Sequence, residues 1–144
     1  MTALPRSAAV PMFTGLRPML AVCDLPGAVR FYVEKLGFNC CGMHGNPPVW
    51  AEVERNGVAI MLNAPPAADI RRDVPRSSRN YQIYYINVRG IEQFHADLVS
   101  RGVQATRLRV AFYGMKEFEL RDPDDHWLWF GEPTNDPPTP DERT

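Results

Sequence analysis

The order of candidate elements repeats once along the chain, and that repeat constrains the fold more than any other feature of the 144 residues. Each half reads strand, helix, then three strands. In the first half Leu16 to Cys23 is a strand candidate bounded by Gly15 and Asp24. Asp24 suits a helix N-cap and Pro26 a first helical turn. Leu25, Ala28, Val29, Tyr32 and Leu36 then form one apolar helical stripe, closed by Gly37 at the expected C-terminal position. Strands are predicted at Phe38 to His44, Val49 to Glu54 and Val58 to Asn63, with Asn56-Gly57 as a hairpin signal. The second half restarts at Tyr81 to Val88. Its helix is striped by Ile91, Phe94, Leu98 and Val99 and stops at Gly102. Strands follow near Ala105 to Ala111, Met115 to Arg121 and Trp127 to Gly131, the last two divided by the turn Asp122-Pro123-Asp124-Asp125.

This order predicts an α+β fold of two βαβββ modules with cupped mixed sheets. One helix covers one face of its sheet, so the other face must meet a partner or stay open as a concave site. The expected organisation is an N-terminal arm at 1–14, a single domain at 15–132 and a disordered tail at 133–144. Module 1 spans about 15–63, a linker rich in Pro, Ala, Arg and Ser spans 64–80, and module 2 spans about 81–132.

Composition narrows the function classes. The net charge is −1 with both signs mixed along the chain, which gives no basic face for nucleic acid. No apolar run is long enough to span a membrane, and the N-terminal residues lack the pattern of a secretory signal. Cys23, Cys40 and Cys41 are an odd set with an adjacent pair, which points to a reducing cytoplasm rather than a disulfide framework. His44, His95 and His126 are too scattered for a zinc spacing, and there is no Gly-rich phosphate loop or nucleophile elbow.

Strand alternation sorts side chains onto two faces. Leu20 and Val22 are expected to pack inward, leaving Arg17 and Met19 on the open side. Val49, Ala51 and Val53 pack inward, leaving Trp50, Glu52 and Glu54. Phe118 and Leu120 pack inward, leaving Glu117, Glu119 and Arg121. Leu128 and Phe130 pack inward, leaving Trp127 and Trp129, and the same count puts Ile83 and Tyr85 on the open side. The expected lining mixes aromatics with carboxylates, which suits a flat cationic molecule, since desolvated cation–π contacts reach about 2 kcal/mol.

Three segments resemble the vicinal-oxygen-chelate superfamily of glyoxalase I, extradiol dioxygenases, fosfomycin-resistance enzymes and bleomycin-resistance proteins. They are Asp24 to Phe38 (DLPGAVRFYVEKLGF), Gly90 to Val103 (GIEQFHADLVSRGV) and Tyr113 to Glu132 (YGMKEFELRDPDDHWLWFGE). In the last, Asp125 and His126 stand where the family pattern has Gly and Asn. The superfamily's metal enzymes place His, Gln or Glu at four strand positions, which align here with Arg17, Met61, Ile83 and Trp129. Those side chains do not make a divalent-metal site. The resemblance therefore implies a cofactor-free, metal-free member of the bleomycin-resistance type, a homodimer whose pockets draw on both subunits. The expected ligand-binding set is Arg17, Trp50, Glu52, Met61, Ile83, Tyr85, Glu117, Glu119, Trp127 and Trp129. The alternative is an enzyme of the same superfamily: a metal-free isomerase or lyase using Glu52, Glu117 or Glu119 as acid and base, or a metal-dependent lyase or dioxygenase with ligands outside this alignment.

Overall fold

The computed structural model of the chain describes residues 10–64 and 82–140. Its first half contains β1 (Met19–Ala21), α1 (Leu25–Arg30) with a π-helical extension (Phe31–Lys35), β2 (Asn39–Gly45), β3 (Pro48–Arg55) and β4 (Val58–Asn63). Its second contains β5 (Ile83–Asn87), α2 (Ile91–Ser100), β6 (Arg109–Val110), β7 (Met115–Arg121) and β8 (Trp127–Pro133). The βαβββ order is thus present twice, as two four-stranded mixed sheets ordered β1-β4-β3-β2 and β5-β8-β7-β6. In each sheet the module's first strand runs parallel to its last, and the other pairings are antiparallel.

Local chemistry sets the ends of these elements. The Asp24 carboxylate accepts the Gly27 N–H at 3.2 Å, and Pro26 fills the first turn of α1. Asn56 and Gly57 both take positive φ (51° and 86°), the backbone that a tight hairpin between right-twisted strands requires. Asp125 sits at φ 72° in the turn before β8, a conformation that Asp tolerates better than most side chains.

Both modules contribute to a single buried cluster. Leu20, Ala51, Val53, Ile60 and Leu62 come from the first sheet, and Phe118, Leu120, Leu128 and Phe130 from the second. Leu25, Ala28, Tyr32 and Leu36 of the first helical segment and Ile91 and Leu98 of α2 complete it. Val49 has the inward phase of β3 but remains 49% exposed, and Val99 of the α2 stripe is 54% exposed, because Leu98 takes the position facing the core.

The two sheets are not hydrogen-bonded to each other. Helices and turns join the modules instead. Tyr32 donates its hydroxyl to Asp122 Oδ2 at 2.8 Å, in a fully buried setting. Asp122 Oδ1 accepts the backbone N–H of Asp124 and of His126, and His126 Nδ1 lies 2.8 Å from Oδ2. Cys23 N–H donates to Asp124 Oδ1 at 2.8 Å. Arg55 donates to the Leu36 carbonyl at 2.7 Å while its guanidinium lies over the Phe94 ring of the other module.

Some expectations are corrected. β1 begins at Met19 rather than Leu16, which is 93% exposed. The strand expected over Ala105 to Ala111 reduces to Arg109–Val110 plus one isolated bridge, Ala105 to Leu120. Thr106 replaces the missing ladder, with its N–H on the Glu119 carbonyl and its hydroxyl accepting the Glu119 N–H. The disordered tail expected from 133 does not hold for its described part. Thr134 N–H donates to Gly114, Thr139 bonds Val110 through both its N–H and its hydroxyl, and Asp136 pairs with Lys116 at 2.8 Å. The segment is polar because it binds an edge through hydrogen bonds rather than through burial. The linker expected at 64–80 lies outside the described residues except for Ala64.

The joint at Asp122 gives a stability prediction. Asp122→Ala strands the Tyr32 hydroxyl and the His126 ring in the core, and urea unfolding should show a loss of about 2–4 kcal/mol. Tyr32→Phe removes one bond and should cost about 1–2 kcal/mol. A Tyr32→Phe variant as stable as the parent would mean that this bond does not hold the modules together.

Candidate functional site

The side of each sheet turned away from the core carries the residues expected from alternation. On the first sheet the cross-strand rows are Met19–Met61–Glu52 and Ala21–Asn63–Trp50–His44. On the second they are Ile83–Trp127–Arg121, Tyr85–Trp129–Glu119 and Asn87–Gly131–Glu117–Arg109. The structure therefore gathers Arg17, Trp50, Glu52 and Met61 on one sheet. It gathers Ile83, Tyr85, Glu117, Glu119, Trp127 and Trp129 on the other. The polar contacts that these residues make with one another stay within each sheet.

Arg17 lies just ahead of β1 and pairs with Glu52 at 2.5 Å, so this cation of the first face is matched by its carboxylate. Trp50 packs on His44 across the strand pair, with ring centroids 5.2 Å apart. Cys41 occupies the bulge of β2, and its Sγ lies 3.3 Å from the Glu52 carbonyl oxygen and 3.6 Å from Glu52 Oε1. All three cysteines are free and exposed.

The second face is more elaborate. Trp127 and Trp129 meet edge to face, with centroids 5.6 Å apart, and the Arg121 guanidinium lies 4.2 Å from the Trp127 ring. One side of Trp127 thus already carries a cation. Trp129 is half-buried, and its indole N–H is buried with no hydrogen-bond partner among the described residues. Glu119 stands opposite Trp129 and is partly exposed.

Glu117 shares this face by register, yet it is only 5% exposed. Tyr85 donates to it at 2.6 Å and Tyr113 at 2.7 Å. Both phenols are harder to ionise than usual, because burial disfavours a phenolate and the Glu117 carboxylate disfavours a second negative charge. Tyr113 is pushed up to about 12, and Tyr85 moves in the same direction. The Tyr85 ring reaches Glu117 by crossing Gly131, where an added Cβ would fall 1.9 Å from the phenolic oxygen.

Gly131 and Tyr113 are thus parts of the site that sequence reasoning passed over. A glycine inside a strand is a signal of close approach. Tyr113 lies in the turn before β7, where alternation gives no direction.

The metal question turns on donor chemistry. Arg17, Met61, Ile83 and Trp129, the positions that the resemblance aligns with metal ligands, supply no carboxylate, imidazole or thiolate. Among the described residues no three of His, Cys, Asp and Glu are grouped to hold an ion. The residues present do not fit the divalent metal of the superfamily's enzymes.

Comparison with known proteins agrees with this geometry. Residues 16–130 match the family model described as Glyoxalase/Bleomycin resistance protein/Dioxygenase superfamily. Among solved structures, the chain is similar to a bleomycin resistance determinant encoded on the transposon Tn5 (TM-score 0.68, 18% identity, 84% of this chain and 98% of that one). It is also similar to a bleomycin-binding protein complexed with bleomycin (TM-score 0.67, 18% identity, 83% and 98%). A lactoylglutathione lyase from Agrobacterium tumefaciens aligns comparably (TM-score 0.65, 16% identity, 85% and 95%). At these identities the likeness establishes the fold. No curated protein matches the sequence.

The phenols around Glu117 make the face sensitive to alkali. Their pKa values are higher in the folded protein than the ordinary 10.0, so the stability they add is complete below that pH and falls as pH rises toward 12. Tyrosinate absorbance should therefore appear late in an alkaline titration. In Glu117→Gln the Tyr113 step should move down toward 10.0. An unchanged titration in that variant would show that the carboxylate does not govern the phenol.

Proposed function

The chain belongs to the glyoxalase/bleomycin resistance protein/dioxygenase superfamily, and we propose that within it the protein is a metal-independent binder of a small molecule bearing a flat ring and a positive charge. The observation that carries this reading is Trp129. Its ring lies on the open side of the sheet, and its indole N–H is buried without an acceptor. The exposed part of the indole ring is a stacking surface for a flat, cationic visitor. Tyr85 on one side and Glu119 on the other give that visitor a second ring and a carboxylate.

Direct ligand contact is assigned to Trp127, Trp129, Tyr85, Glu119 and Ile83 on the second sheet, and to Trp50, Glu52, Met61 and Arg17 on the first. Glu117 acts by holding Tyr85 and Tyr113 in place. We infer a symmetric homodimer in which the open face of one protomer's first sheet meets the open face of its partner's second sheet, completing two pockets. Sequestration of an antibiotic of the bleomycin type in a reducing cytoplasm is the biological role we favour. Three free thiols suit that compartment. A second reading is metal-free acid–base chemistry. It draws on one observation: a buried carboxylate bonded to two phenols is an acid–base group shielded from water.

Titration with metal-free bleomycin, followed by tryptophan fluorescence, tests the binding reading. Saturable quenching at about one ligand per pocket is expected, lost in Trp129→Ala. No change up to a millimolar, an affinity weaker than roughly −4 kcal/mol, would reject that ligand. Sedimentation at micromolar concentration should show a dimer; a monomer would remove the shared pocket.

A further inference from the structure

We infer that the cleft between the two modules is a second binding site, on the core side of the sheets, for an amphipathic molecule with one anionic group. The cleft is an open groove of about 760 Å³, within the range of roughly 300–1,000 Å³ in which small-molecule sites fall. Val58 of the first module and Val88 and Phe94 of the second present apolar surface to it, over a floor of the buried Leu36, Phe38 and Phe130. Phe130 and Trp129 are neighbours on β8 and point to opposite sides of the sheet, so this cleft and the tryptophan face are different places.

The charge at its rim selects the sign of the visitor. Arg55 and Arg89 both border the cleft, against one carboxylate, Asp97. Asp97 already accepts from Gln93 Nε2 at 2.8 Å. Arg55 has one N–H on the Leu36 carbonyl, and a guanidinium has several more to offer. Arg89 is exposed and makes no ion pair or hydrogen bond among the described residues. Glu132, which reaches the neighbouring Gly90, is already committed to the N–H groups of Gly90 and Ile91 at the start of α2. Two arginines beside an apolar cavity fit a hydrocarbon or aromatic body ending in a carboxylate, the opposite polarity to the ligand proposed for the tryptophan face.

Decanoate, below its micellar range, is a suitable probe, followed by amide and indole resonances of the full chain. Saturable shifts are expected at Val58, Val88, Arg89 and Gly90, with the Trp129 indole unmoved. Arg89→Gln should weaken binding roughly tenfold or more, since it removes a charge-assisted contact. Decan-1-ol should bind more weakly by a similar factor, and Val58→Trp should block the probe. Shifts centred on the Trp129 indole would overturn the proposal. Equal binding of decanoate by Arg89→Gln and the parent, or equal binding of decanoate and decanol, would also overturn it by reducing the contact to nonspecific adsorption. Failure of bleomycin to bind the tryptophan face would leave this result unaffected.

Discussion

Asp122 is a carboxylate in the core, and such a group persists only where donors replace its lost water. Tyr32 supplies one from the first module, and the backbone of the second module's own turn supplies two more. The turn is thereby folded around the same atom that the first helix reaches for. β8 starts at Trp127, immediately after that turn, so the phase of Trp127, Trp129 and Phe130 is inherited from it. The joint between modules and the layout of the candidate site rest on one set of hydrogen bonds.

Most polar groups on the open faces are answered locally. Arg17 is matched by Glu52, Arg121 rests on Trp127, and Glu117 is closed over by two phenols. Each match removes a charge or a donor that would otherwise seek water. On the row beside them, the Trp129 indole N–H has no acceptor among the described residues, and Glu119 stands next to it. Binding specificity on such a face would come from a few groups, with the rest fixing shape.

The repeat, the helix stripes and the alternation of each strand were legible in the sequence because they are local periodicities imposed by a common core. Ala51, Val53, Phe118, Leu120, Leu128 and Phe130 all lie on the side that alternation assigns them. Legibility ended where contacts are set by distant backbone. Glu117 reads as an open-side residue that meets ligand, and only the folded chain brings Tyr85 and Tyr113 over it. The polar segment from Thr134 to Thr139 lacks apolar residues, so hydrophobic patterning could not reveal that it binds the edge near Val110. The pairing of Arg17 with Glu52 joins residues 35 apart in the chain, a span for which no local spacing rule exists.

Gly131 and Tyr85 occupy adjoining strands, and the ring of one lies where the side chain of the other would begin. Gly131 therefore cannot gain a side chain while the Tyr85 ring stays where it is. A lineage that acquires a side chain at 131 must first turn the Tyr85 ring aside or lose it, and with it one of the two caps on Glu117. The cap on Glu117 and the bare backbone at 131 are thus one trait: a side chain gained at 131 uncovers a carboxylate on the neighbouring strand.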